Sequence, residues 1–279
     1  MADSFSTTSL RAAFRYPFHS PEGVSRFLVG AALLFLSLFV PIVPAIFVYG
    51  YLLQVMRRVI QGEPPALPEW KDWGRLGADG LRSLAAAVVY LGPGLVIMFG
   101  GWLLYLIMYL GGITLISHVR NAAPTGIALM LIFGALGVLF LSLFASFCLL
   151  LIGGVPLPAA LAHMAVREKL GAAFNVFEWG AVLAGDRWGY FISWVVVAGL
   201  ATLLEFAIWF IYSTLILCAV AYVVIVPLGF YLMLVAAAVF AQSYREGLTH
   251  LRAATSAGPN PPVPAAEAQL GAADMAESI

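Results

Sequence analysis

FLVGAALLFLSLFVPIVPAIFVYGYLLQVM, residues 27–56, runs without a single charge, and its centre reads Pro41-Ile42-Val43-Pro44. A helix crosses the hydrocarbon core of a bilayer with about 20 mainly apolar residues, so this run is long for one crossing and short for two. Proline removes a backbone donor and turns the residue before it away from helix. The run is therefore either one kinked helix or a tight hairpin with arms near 22–40 and 44–61. The basic residues separate these readings, because cytoplasmic loops are enriched in lysine and arginine. As a single span, the run leaves Arg11, Arg15 and Arg26 on the same outer side as Arg120, a split of ten to four among the fourteen basic residues. As a hairpin it leaves Arg120 alone outside, a split of thirteen to one. The hairpin is preferred, with Arg26 and Arg57 snorkelling at the ends of its arms.

Four further apolar blocks follow, at 84–117, 126–152, 189–211 and 214–243. The last two meet at the uncharged turn Tyr212-Ser213-Thr214, and 189–243 is too long for one crossing at ~1.5 Å per residue. The expected fold is an all-α polytopic integral membrane bundle of six spans in three helical hairpins, with interfacial amphipathic segments and both termini cytoplasmic. Its membrane domain is read as 9–253, flanked by disordered tails at 1–8 and 254–279; the second tail carries Pro259, Pro261, Pro262 and Pro264 and cannot bury enough apolar surface to order itself.

Composition supports this class. The chain is 62% hydrophobic and 10% charged, against about 25% charged for a soluble domain. Net charge is zero and no basic run exceeds two residues, which argues against nucleic acid as a partner and against a polybasic lipid-binding cluster. Cys148 and Cys218 lie in apolar runs as small hydrophobes. The first apolar run starts too late and runs too long for a signal peptide.

Each hairpin is approached through a polar, aromatic segment: Leu10 to Tyr16, Glu69 to Gly74, and Phe174 to Trp188. The stretches 69–83 and 166–187 are read as interfacial helices, or more simply as loops whose tryptophans anchor the spans. Trp73-Gly74 before Asp79 and Trp179-Gly180 before Asp186 suggest a short internal repeat. Gly62, Pro64, Pro65 and Pro68 make a rigid turn ahead of the second hairpin.

Little in the spans can do chemistry. Glu205 is the acidic residue placed within a span, and ionisable groups there are functional candidates because they are costly. Glu205 and Arg120 are the lone acid and lone base of the outer half, so a pairing of the two is the sharpest structural expectation. The simpler alternative has Glu205 reaching the interface or sitting protonated between helices. His163 has no second ligand at helical spacing and is read as pointing to the interface; the four histidines are scattered. No nucleophile elbow and no phosphate loop occurs, so no catalytic residue, cofactor or metal is expected. Glycines such as Gly92, Gly94, Gly100-Gly101 and Gly111-Gly112 are read as helix-packing positions. Pro93 and Pro227 are the best placed to kink spans around a cavity.

From Gly50 to Gly80 the chain reads Gly50-Tyr51, Arg57-Arg58, Gly62-Glu63, Leu67-Pro68-Glu69-Trp70, Asp72-Trp73-Gly74 and Asp79-Gly80. This pattern resembles the prokaryotic membrane-protein family called domain of unknown function 4013, most closely over residues 15–120. The resemblance implies a multi-span protein of the prokaryotic inner membrane, supplies no catalytic residues, and directs attention to Trp70, Asp72, Trp73, Gly74, Asp79 and Gly80. The function expected is that of a non-enzymatic scaffold or interaction protein among membrane lipids, with a protein partner docking on the acidic-aromatic cytoplasmic face. The alternative is a transporter or lipid-handling protein using the kinked helices.

Overall fold

The computed structural model describes residues 13–16, 22–118, 122–213 and 218–256. Its helices are α1 Gly23–Leu36, α2 Val43–Gln61, α3 Trp73–His118, α4 Ala122–Gly154, α5 Leu157–Arg167, α6 Val176–Gly185, α7 Arg187–Ser213 and α8 Cys218–Ser256, with a 3-10 turn at Leu170–Phe174. The chain is helical throughout its ordered elements, as expected. Arg120 and the tails 1–8 and 257–279 lie outside the described residues.

The run 27–56 is broken at its prolines. Residues 37–42 leave the helix, and α2 restarts with Pro44 in its first turn, where a missing N–H costs nothing because no intrahelical partner exists there. The first arm is shorter than the 22–40 expected. With 14 residues, α1 is about 21 Å long, less than the ~30 Å core. It packs through Gly30 instead, which lies flat against the Phe230 ring on α8. Among the described residues five helical stretches are long and apolar enough to cross a membrane, namely α2, α3, α4 running on into α5, α7 and α8.

Gly62 ends α2 with a left-handed φ of 76°, a conformation glycine adopts without steric cost. The prolines that follow keep 63–68 out of helix, as expected for a rigid turn; residues 69–72 continue as a non-helical strap, so of the stretch 69–83 read as an interfacial helix only 73–83 is helical, as the start of α3. Asp72 then caps α3, its Oδ1 accepting the Arg75 N–H at 3.2 Å. From Trp73 the helix runs unbroken through Pro93 for 46 residues, about 69 Å.

α3 and α4 form an antiparallel hairpin whose register holds over its length. A Cβ on Gly153 would strike the Tyr90 carbonyl, one on Gly94 would meet Leu150, one on Gly101 would meet Ser142, and one on Gly112 would meet Ile132 and Ala128. Gly100 and Gly111 face open space, so in the two glycine pairs of α3 only the second residue carries the close approach. α7 and α8 form the other long hairpin, joined by Ser193 Oγ to Ser243 Oγ at 2.5 Å near its base and Tyr212 Oη to Tyr222 Oη at 2.8 Å near its tip.

The two hairpins do not lie along each other. Among the described residues neither α3 nor α4 packs against α7 or α8. They meet at the base, where Tyr190 Oη and Trp194 Nε1 both donate to the Val155 carbonyl, at 2.5 and 3.2 Å. The core sits at this same end, built from Val48, Tyr51 and Val55 of α2, Ala160 and Met164 of α5, and Phe230, Leu234, Val235 and Val239 of α8. Along α3, α4 and α7 large apolar side chains such as Phe99, Phe133, Phe140, Phe144, Phe206 and Phe210 stand exposed. An apolar surface of this extent belongs in lipid, and the chain is a membrane-embedded helical protein.

Candidate functional site

Two glycines make the site. α2 and α3 cross so closely that a Cβ on Gly50 would sit 1.9 Å from the Leu76 carbonyl oxygen, and one on Gly80 would sit 1.8 Å from that of Ile46. Any side chain at either position forces the helix backbones apart. Gly74 has no such role: its nearest neighbour would be Asp72 Oδ1 at 3.8 Å.

This crossing brings Asp79 under α2. Its carboxylate is buried, with Oδ2 accepting from both terminal nitrogens of Arg57 at 3.1 Å and Oδ1 accepting from Arg82 at 3.1 Å. Arg57 is buried too, and its Nε donates to the Ala165 carbonyl at the end of α5 at 2.9 Å. One guanidinium therefore ties together α2, α3 and α5. Breaking one side of a buried pair leaves an uncompensated charge and costs about 3–5 kcal/mol.

Around this pair a cavity of about 510 Å³ opens at the polar end. Its charged lining comprises Arg26, Arg57, Arg58, Lys71 and Arg75 against Glu63, Glu69, Asp72, Asp79 and Glu168. The basic groups are paired: Arg58 to Glu63 at 2.6 Å, Arg75 to Glu168 at 2.6 Å, Arg26 to Glu22 and Glu69, and Lys71 to Glu69. The hydrogen bond and charge of Lys71 hold the Glu69 carboxyl below its usual range. Glu168 takes a left-handed φ of 56°, which costs a non-glycine residue roughly 1–2 kcal/mol and places its carboxylate between Arg57 and Arg75.

An aromatic stack packs behind the strap that contributes Pro68 and Glu69 to the cavity. Trp70 lies parallel to Tyr51 at 3.9 Å, with Trp73 stacked behind it at 5.9 Å and edge-on to Phe47. Trp70 Nε1 donates to the Arg26 carbonyl at 2.8 Å, and the hydroxyls of Tyr51 and Tyr16 hold the strap carbonyls of Pro68 and Ala66. Burial pushes the Tyr16 hydroxyl up to about 12, so it remains a donor at any physiological pH.

Of the residues singled out from sequence, Trp70, Asp72, Trp73, Asp79 and Gly80 converge here, and Gly74 stands beside them without a contact that requires it. Glu205 lies elsewhere, exposed on α7 with no ion pair among the described residues, and Arg120 is outside them. Sequence reasoning missed Arg57, Tyr51 and Glu168 as site residues. Arg57-Arg58 served as a topology marker and as part of the family pattern, although a charge at the end of an apolar helix needs a partner, and Asp79 was the buried acid within reach.

His163 corrects a second reading. It does not face the interface but is buried, with Nδ1 2.5 Å from the Tyr244 hydroxyl and Nε2 3.1 Å from Glu178. Arg167 and Asn175 also donate to Glu178, at 2.9 and 2.6 Å. The proposed repeat has no common geometry: Asp79 sits within α3 and pairs with Arg57 of α2, whereas Asp186 caps α7 through the Gly189 N–H at 3.0 Å. Among the described residues no three His, Cys, Asp or Glu side chains gather as metal ligands.

Residues 33–213 match the family described as Protein of unknown function (DUF4013), more than half of the chain, beginning inside the 15–120 stretch of the resemblance and extending well past its end. No curated protein and no solved structure matches the chain. The chain belongs to the DUF4013 family.

Proposed function

We propose that this DUF4013 protein is a non-enzymatic membrane scaffold, whose rigid charged end holds two apolar hairpins apart so that lipids and the spans of partner proteins fit between and around them. The observation that carries this is the separation of the α3–α4 hairpin from α7 and α8, which meet it only at the base. A channel or carrier needs walls that enclose a polar path. Here the cavity rich in charge lies at the polar end, while the recess beside Pro227 and Glu205 is about 200 Å³ and lined by Leu200, Leu203, Leu204, Ala207, Leu228, Tyr231 and Leu232. The ion-paired end is tied across α2, α3 and α5, which suits a fixed platform for a cytoplasmic partner. The cation distribution supports a cytoplasmic setting for that end in a prokaryotic cell, and α1 with α2 acting as a hairpin would keep both termini on that side.

Photo-crosslinking in native membranes tests this reading. A photoreactive side chain at Phe140 or Phe144 of α4 is expected to give protein adducts of discrete mass. If those positions yield only lipid adducts, and the purified protein moves a solute across reconstituted vesicles, the scaffold reading fails in favour of transport.

A further inference from the structure

Beside the ion-paired cavity a second groove carries a different charge pattern. Its polar half, about 400 Å³, is lined by Arg57, Arg245, Arg252, Gln61 and Thr249 with Ile60, Val166 and Leu248, and no carboxylate lines it. Arg245, Thr249 and Arg252 fall at i, i+4 and i+7 on one face of α8. Among the described residues Arg245 and Arg252 form no ion pair, in contrast to the paired bases of the first cavity. The Arg245 guanidinium lies against the bare Cα of Gly62, about 3 Å from where a Cβ would be, so the glycine that ends α2 also seats the arginine.

Sharing Val166, Leu248 and Arg252, the groove continues into a recess of about 660 Å³ with Phe177, Ala181, Val182 and Leu251 in its walls. The polar groups of this recess are committed to one another, His163 to Tyr244 and Glu178, and Arg167 to Glu178. What it offers a ligand is apolar. Phe177 is 93% exposed on a helix that ends three residues before Trp188 of α7, and exposed aromatic side chains at the start of an apolar span suit headgroup depth. The combined groove thus has unpaired guanidinium groups at one end and an uncovered apolar wall at the other.

We propose that this groove binds an anionic phospholipid from the leaflet that the charged end faces, its phosphate held by Arg245 and Arg252 and one acyl chain laid over Phe177, Val166, Leu248 and Leu251. Guanidinium groups match phosphate oxygens in paired hydrogen bonds, and basic pockets beside membrane helices are suited to anionic headgroups. Gln61 supplies a neutral donor at the same end, while the Thr249 hydroxyl donates to the Glu246 carbonyl at 2.7 Å.

The test is native mass spectrometry of the full chain, delipidated in detergent and titrated with phosphatidylglycerol, with phosphatidylcholine of the same chains, and with inorganic phosphate. Phosphatidylglycerol is expected to bind about tenfold or more tightly than phosphatidylcholine, and R245Q/R252Q to abolish that preference, since each charge-assisted bond is worth about a factor of ten. Phe177→Ala is expected to weaken both lipids and spare the headgroup preference. Equal binding of the two lipids by the unaltered protein would overturn the proposal without requiring any variant to fold. Inorganic phosphate displacing phosphatidylglycerol at similar concentration would assign the arginines to a soluble anion and overturn it as well.

Discussion

Asp79 shows how much one side chain carries when it is buried with its partner. The exposed pairs of the cavity rim, such as Arg58 with Glu63, are worth about 0–1 kcal/mol each because water screens them. The Arg57 and Asp79 pair is buried on both sides, so Asp79→Asn is expected to lower the stability of the detergent-solubilised protein by about 3 kcal/mol or more. Glu63→Gln should leave it nearly unchanged, and thermal unfolding of the two variants measures the difference. In the sequence, Asp79 and Gly80 were visible as part of an acidic-aromatic motif. The partner Arg57, and Tyr51 and Glu168 beside it, were not visible as site residues, because a helix crossing and a left-handed turn at φ 56° bring them there and no local pattern encodes either. His163 was misread for the same reason: the residues that bury it, Tyr244 and Glu178, come from α8 and α6.

At the scale of elements, the apolar blocks were legible and their ends were less so. The break at Pro41 follows from backbone chemistry, and the glycines of α3 and α4 mark close packing, but which glycine of each pair faces the neighbour depends on helical phase over 46 residues. That phase gives a sharp contrast. Gly101→Leu puts its side chain into Ser142 and is expected to destabilise the α3–α4 hairpin, whereas Gly100→Leu points to open space and should be tolerated or slightly stabilising through its better helix propensity. Thermal unfolding of the detergent-solubilised variants reads the difference, and the midpoint should fall in the first variant alone. The short α1 was not legible as short, since its apolar residues continue to Val40 and only the backbone turn at 37–42 stops the helix.

For the whole molecule, the account rests on one arrangement: the strap, α5, α6 and the ion-paired cavity gather at the base where the two long hairpins meet, and the far ends of α3 and α7, at His118 and Ser213, lie away from it. Composition made the membrane class plain, and the arginines predicted that charge gathers at a single end. The splay of the hairpins lay beyond sequence reasoning, because an all-round apolar helix such as α4 faces lipid and protein with the same side chains. Cysteine labelling with a membrane-impermeant reagent tests the arrangement most directly, in intact cells, on a background with Cys148 and Cys218 replaced by serine. Cysteines at Ser117 and Ser213 are predicted to label from outside, while those at Arg75, Glu168 and Arg252 label only after the membrane is opened. Labelling of any of the latter three in intact cells would contradict the account.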